Sequence, residues 1–247
     1  MKRSKLVAPL LFLLLWVLIS SFSLVNPLFL PSPFRVVLVL LQSFASAEFF
    51  QDIGMTLFRL AAGFALGMVL GIPLGLFMGY YQRVYEYLDF LVDFFRSIPV
   101  ASLFPLFLVM FGIGELSKIA TTAWSTSLII LINTMYGVRN GKKLRIMVAK
   151  TMKASEYQVF VKAIVPEALP ETFTGLRTAL SIGLIVVVLT EMLMGTKIGL
   201  GQRIFNASLM YQVPEMYAAI FLTGLLGFSL NKVFVVIGNR VIHWAGK

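Results

Sequence analysis

The chain contains no cysteine, a single histidine and few charged side chains, 13% of its 247 residues. The missing thiols exclude disulfides, thiolate metal sites and thiol nucleophiles within the chain. His243 stands alone in the tail, where an isolated imidazole is more often a solvated side chain than a metal ligand. No Gly-x-x-x-x-Gly-Lys-Ser/Thr phosphate loop occurs, so the chain is not itself an ATPase of that kind. No serine sits in a nucleophile turn and no histidines cluster, which leaves a membrane-embedded enzyme little to work with. Neither a metal site nor a cofactor site is expected in the chain.

Charge is one-sided as well as sparse: 21 Lys and Arg stand against 11 Asp and Glu, a net +10. Such a balance can mark a nucleic-acid binder. Here the cations cluster between apolar runs and form no face of their own, so no nucleic-acid partner is expected. What the chain has in abundance is apolar. With 59% hydrophobic residues, too little polar surface remains to cover a water-soluble globule. A bilayer core about 30 Å thick takes roughly 20 apolar residues per helix, so the length holds about six spans. The expected fold class is an all-α integral membrane protein, a single transmembrane domain over residues 1–247 with lipid as its main solvent.

Spans are expected at about residues 6–25, 56–80, 85–112, 116–138, 172–194 and 216–239. The first follows Lys2, Arg3 and Lys5 and has no clear small-residue cleavage site, so it reads as a retained helix. Pro27, Pro31 and Pro33 predict an extended connector, followed by a short amphipathic helix near Phe34 to Ala45 at the membrane interface. Gly63, Gly67, Gly71, Gly75 and Gly79 recur every fourth residue, a stripe along which another helix backbone can approach closely. Pro73 is expected to kink that helix. Asp89, Asp93 and Arg96 share a helical face and can pair at the membrane edge.

Cations set orientation, because cytoplasmic loops retain Lys and Arg. The start carries Lys2, Arg3 and Lys5; the loop after the fourth span carries Arg139, Lys142, Lys143, Arg145, Lys150, Lys153 and Lys162. Both are expected on the cytoplasmic side, and an even number of spans then places the C-terminus there too. Within that loop, residues 147–163 are expected to form a short helix, with Val148, Met152, Val159 and Ala163 at apolar positions, ended by Pro166. It is too polar to span. Composition alone leaves open a surface helix lying on lipid headgroups.

The same stretch is similar to the cytoplasmic loop of ABC importer permeases, in which an alanine-rich turn is followed by a glycine and later by a Leu-Pro step. Ala149-Lys-Thr-Met-Lys-Ala-Ser155 aligns with the first half and Val165-Pro-Glu-Ala-Leu-Pro170 with the second. Leu30-Pro-Ser-Pro33, Phe58-Arg-Leu-Ala-Ala-Gly-Phe64, Gly71-Ile-Pro-Leu-Gly75, Phe111-Gly-Ile-Gly-Glu-Leu-Ser-Lys118, Asn133-Thr134, Gly175-Leu-Arg-Thr-Ala-Leu180, Glu191-Met192, Gly199-Leu-Gly201 and Pro214-Glu-Met-Tyr-Ala-Ala219 resemble, in order, the permease branch serving nitrate, sulfonate and taurine uptake. The chain departs from the pattern at Met147, in place of a glutamate, and at Lys153, in place of a glycine, which permits a turn that lysine adopts only with strain.

This resemblance implies a type I ABC importer permease, multi-pass in a bacterial inner membrane with both termini cytoplasmic. It further implies ABC ATPase subunits that bind ATP and Mg, a periplasmic or lipid-anchored solute-binding protein, and a second copy of the chain as a homodimer. A small anion such as a sulfonate, taurine or nitrate is the implied solute. Ala149, Lys150, Thr151, Met152, Lys153, Ala154 and Ser155 are the implied ATPase-coupling residues. Candidate pathway or gate residues are Arg96, Asn133, Arg177, Thr178, Ser181 and Glu191. Each has a plainer alternative: surface pairing for Arg96, anchoring at the cytoplasmic end for Arg177, hydration at the outer interface for Glu191, and bonding to a neighbouring helix for the other three. A passive channel or facilitator is the rival function, although it leaves the amphipathic loop unexplained.

Overall fold

The computed structural model describes residues 4–141 and 143–242, so Lys2, Arg3, Lys142, His243 and Lys247 lie outside the described residues. Among those residues the chain forms helices and no strands. In order they are α1 (Ser4–Ser21), α2 (Pro33–Ser43), α3 (Ala47–Tyr80), α4 (Gln82–Ser97), a 3₁₀ turn (Val100–Leu103), α5 (Phe104–Phe111) and α6 (Glu115–Arg139). Then follow α7 (Lys143–Thr151), α8 (Glu156–Val159), a π turn (Phe160–Ile164), α9 (Val165–Leu193), α10 (Leu200–Leu209) and α11 (Val213–Val241).

Three helices are long and apolar enough to cross a bilayer among the described residues: Ala47–Tyr80, Glu156–Leu193 and Val213–Val241. The apolar stretch expected as a span over 85–112 is bent in the middle. Ile98 is extended ahead of Pro99, whose ring disfavours a helical predecessor, and the two halves meet at 91°. The connector after α1 is a turn, not an extended strand of chain: the Asn26 Oδ1 accepts from the Leu28 amide at 2.9 Å, and the Phe29 amide bonds back to the Asn26 carbonyl. α3 runs through Pro73 without a break.

The chain divides into two compact units. One comprises the residues up to Thr56 together with Thr196–Leu226. Ser32 caps α2, and the buried Val36 and Leu40 pack with Phe49, Leu200, Ala218 and Leu222. α10 begins where Gly199 adopts a φ of 142°, and α3 supplies its cap. There the Asp52 carboxylate accepts from the Gly199 amide at 2.8 Å and from Arg203 Nε at 2.7 Å, and Thr56 Oγ1 accepts from the Leu200 amide at 3.0 Å.

The other unit holds Leu57–Gly195 and the chain from Gly227 on. Its core joins Leu60 and Phe64 of α3, Ile130 of α6, and Leu176, Ala179, Leu180, Leu184 and Val187 of α9. The glycine stripe of α3 lies against α6. A Cβ placed on Gly63, Gly71 or Gly75 would sit 2.6 Å from Thr122 Cβ, the Ser127 carbonyl or the Leu131 carbonyl, closer than real atoms approach. α6 meets the stripe with small hydroxylated residues, and Thr121, Thr122 and Thr126 bond carbonyls of their own helix at 2.7–2.9 Å, so their polarity is satisfied without a water.

Candidate functional site

The segment between α6 and α9 differs from the single helix expected over 147–163. α7 ends at Thr151 because the chain turns back on itself: the Ala154 amide bonds to the Ala149 carbonyl at 3.1 Å and the Lys153 amide to the Lys150 carbonyl at 3.0 Å. This double bond pattern ends a helix with a left-handed residue, usually glycine, and Lys153 holds that position at φ 56°. The residue that departs from the expected glycine is thus the one under strain. Ser155 then starts α8 through a capping box, its hydroxyl accepting from the Gln158 amide while the Gln158 side chain accepts from the Ser155 amide. Ala149, Lys150 and Thr151 form the last turn of α7, Met152 to Ala154 the turn itself, and Ser155 the cap.

This segment is tied to the long helices at both ends. Glu156 accepts a hydrogen bond from Tyr80 at the end of α3 and pairs with Lys150 at 3.6 Å. Arg145 of α7 pairs with Glu167 of α9, and the Phe160 ring stacks on Phe77 with centroids 6.3 Å apart. A groove of about 590 Å³ is lined by Val148, Ala149, Met152 and Lys162, among others.

At the opposite end of α9, Glu191 is fully buried, which corrects the alternative of a hydrated interfacial carboxylate. Its Oε1 accepts from Arg59 Nη1 at 2.6 Å, and Arg59 also donates to Glu115 at 2.5 and 2.8 Å. Lys118, equally buried, donates to the Gly114 carbonyl at 2.9 Å and lies 3.9 Å from Glu115. Two cations and two carboxylates so meet where α3, α6 and α9 converge. A buried arginine held by two carboxylates acts as a strut between the helices that carry them. The sequence reading missed Arg59, although the rule that singled out Glu191, a charge inside an apolar run, applies to it equally.

The structure joins Arg177 and Ser181 through a residue the sequence reading did not select. Arg177 Nε donates to Asn231 Oδ1 of α11 at 2.8 Å, and Asn231 Nδ2 donates to Ser181 Oγ at 3.5 Å. Thr178 is exposed on the same face and bonds its own helix at Thr174. Asn133 is elsewhere: its amide donates to the Ile129 carbonyl at 2.8 Å, and it packs on Gly175 at the buried side of α9. Arg96 pairs with Asp93 at 2.9 Å on an exposed face, as surface pairing requires.

Residues 71–243 match the family model described as the inner membrane component of binding-protein-dependent transport systems. SsuC of Bacillus subtilis, named as an aliphatic sulfonates transport permease, is 30% identical over 97% of this chain and 86% of its own length. The taurine transport system permease protein TauC of Escherichia coli is 31% identical over 95% of this chain and 87% of its own. The formylaminopyrimidine transport permease protein ThiX of Halalkalibacterium halodurans is 33% identical across the full length of both. In fold, the chain is similar to a structure of the MetNI methionine ABC transporter in an inward-facing conformation, with a TM-score of 0.69 at 20% identity over 80% of this chain and 96% of that one.

The chain belongs to the family of inner-membrane permease components of binding-protein-dependent ABC importers. It is a transport subunit, and ATP is hydrolysed by a separate subunit of such systems. The passive-channel alternative falls with that membership.

Proposed function

We propose that residues 143–164 are the point at which the ATPase subunit docks, and that the chain works as a homodimer importing a small anion of the sulfonate, taurine or nitrate kind. The supporting observation is apolar surface left exposed outside any membrane-length run. Leu144, Met147, Val148 and Met152 are 51–78% exposed, ringed by Arg145, Lys150 and Lys153. A lysine-rich loop stays on the cytoplasmic side, and an exposed apolar cluster with a polar rim is the mark of a partner surface. Its attachments to α3 and α9 make it a short lever that passes rigid-body motion from the ATPase, which carries ATP and Mg, to the helices of the pathway.

About six crossings with both termini and this segment on the cytoplasmic side agree with the distribution of lysine and arginine. The sulfonate and taurine transport named for two relatives favours an anion, while ThiX marks the other chemistry worth including in a ligand panel.

The test is Ala154→Glu, which sets a carboxylate in the turn of the docking segment. In the assembled transporter, uptake is expected to fall at least tenfold, and ATP hydrolysis to lose its stimulation by the binding protein, because an unpaired interfacial charge costs several kcal/mol, roughly two decades or more in affinity. Normal uptake and normal stimulation in a well-expressed variant would show instead that the segment lies on lipid headgroups.

A further inference from the structure

Arg177 lies 12 residues after Val165 and 16 before Leu193, about 18 and 24 Å along the axis of α9, in the first turns of the apolar stretch expected from residue 172. Its neighbours Thr174 and Thr178 are exposed and Ser181 is half-buried, while Ala179, Leu180, Gly183 and Leu184 are buried on the other side. A guanidinium at such a position reaches the membrane interface or faces a polar cavity or a partner group. Here the partner is a neutral amide. Asn231 accepts a hydrogen bond from Nε, which uses one of five N–H donors, and among the described residues no carboxylate pairs with the charge.

Beside it a cleft of about 260 Å³ opens between α9 and α11. Phe173, Thr174, Phe234 and Asn239 line it together with Arg177, and none of the described lining residues is acidic. Gly238 keeps the floor low, since a Cβ there would come within 3.3 Å of the Phe173 ring. Two aromatic rings, the Asn239 amide and one forked cation make a site for a small group with several equivalent oxygens and a negative charge, which a guanidinium grips with two parallel bonds.

We propose that this cleft binds a small oxyanion, with Arg177 as its contact and Asn231 as the positioning residue that sets the fork. The meaning of the site for transport rests on the permease reading. The same oxyanion chemistry is offered by the head of a transported sulfonate and by an anionic lipid headgroup.

The absence of cysteine allows a direct test, because Thr174→Cys places a lone thiol of this chain at the cleft. Vesicles carrying the whole transporter are treated with 2-sulfonatoethyl or 2-(trimethylammonio)ethyl methanethiosulfonate, and labelling is followed by the mass of this chain. Either reagent forms a mixed disulfide and releases methanesulfinate, so the thiol's own acidity cancels in the ratio of the two rates. Adding Arg177→Gln is expected to lower the anion-to-cation ratio roughly tenfold, since the charge is one helical turn away. Arg177→Lys is expected to keep most of the ratio, and Asn231→Leu to lower it by an intermediate amount. An unchanged ratio in Arg177→Gln, or a thiol that neither reagent reaches, overturns the site; an unchanged ratio in Asn231→Leu overturns the positioning role. Protection by excess ethanesulfonate in phosphatidylcholine vesicles assigns the site to solute, and protection only where phosphatidylglycerol is present assigns it to lipid. Protection in neither sinks the oxyanion proposal. Binding-protein-stimulated ATP hydrolysis in the unmutated vesicles is read in parallel: its absence counts against the permease reading, whereas the charge ratio bears on the cleft alone.

Discussion

Arg59 of α3 and Glu191 of α9 stand 132 residues apart in the chain and meet at 2.6 Å, each with no more than 1% of its side chain exposed. Charges this deep are stable only as a set. Arg59→Met removes the guanidinium that donates to the buried Glu191 and should lower stability by about 3–5 kcal/mol. Glu115→Gln removes a carboxylate that is 42% exposed and should cost below about 1 kcal/mol. Thermal unfolding of the detergent-solubilised protein checks the ranking, and equal losses in both variants would mean that the pair is not the strut.

The glycines of α3 separate by what faces them. Gly71→Ala would drive a methyl group against the Ser127 carbonyl of α6, which belongs to a rigid backbone and cannot turn aside. A loss of about 1–3 kcal/mol is expected, with less protein in the membrane. Gly54→Ala, on the same helix with nothing within 4 Å, should be neutral or stabilising, since alanine favours helix over glycine by about 1 kcal/mol. Comparable damage at both positions would argue against backbone approach as the cause.

Lys153 occupies a glycine position at the end of α7, so Lys153→Gly is expected to relieve about 1 kcal/mol of left-handed strain and Lys153→Val to add to it. Protease resistance of the loop in purified protein reports both. Uptake should survive Lys153→Gly, because the turn keeps its shape.

Asp52 caps α10 from another helix. Asp52→Ala strips the acceptor from the Gly199 amide and from Arg203, at an expected cost of about 1–3 kcal/mol. Faster hydrogen exchange across Gly199–Arg203, without change across α6, is the measurement; uniform exchange in both places would contradict a local cap.

Fluorescent or enzymatic tags at the N-terminus, within residues 140–160 and at the C-terminus should all report the cytoplasm. One external signal would remove the even-span topology drawn from the basic residues.

The sequence by itself determined the solvent, the class and much of the lineage. Apolar runs between lysine clusters can be stable only in lipid, and collinear short motifs carry the resemblance to the permease branch. It also marked the glycine stripe, because a four-residue period is a property of one helix. It could not say that the stripe faces α6, that Glu191 is held by Arg59, or that Arg177 is held by Asn231. Each of those facts depends on where a second helix comes to rest. The same limit explains the break at Lys153: hydrophobic periodicity registers which side of a helix is apolar, whereas the end of a helix is decided by a few backbone hydrogen bonds and one φ angle. Which charges may remain in an apolar helix was decided only by tertiary packing, which supplied a counter-charge for Glu191 and a neutral amide for Arg177.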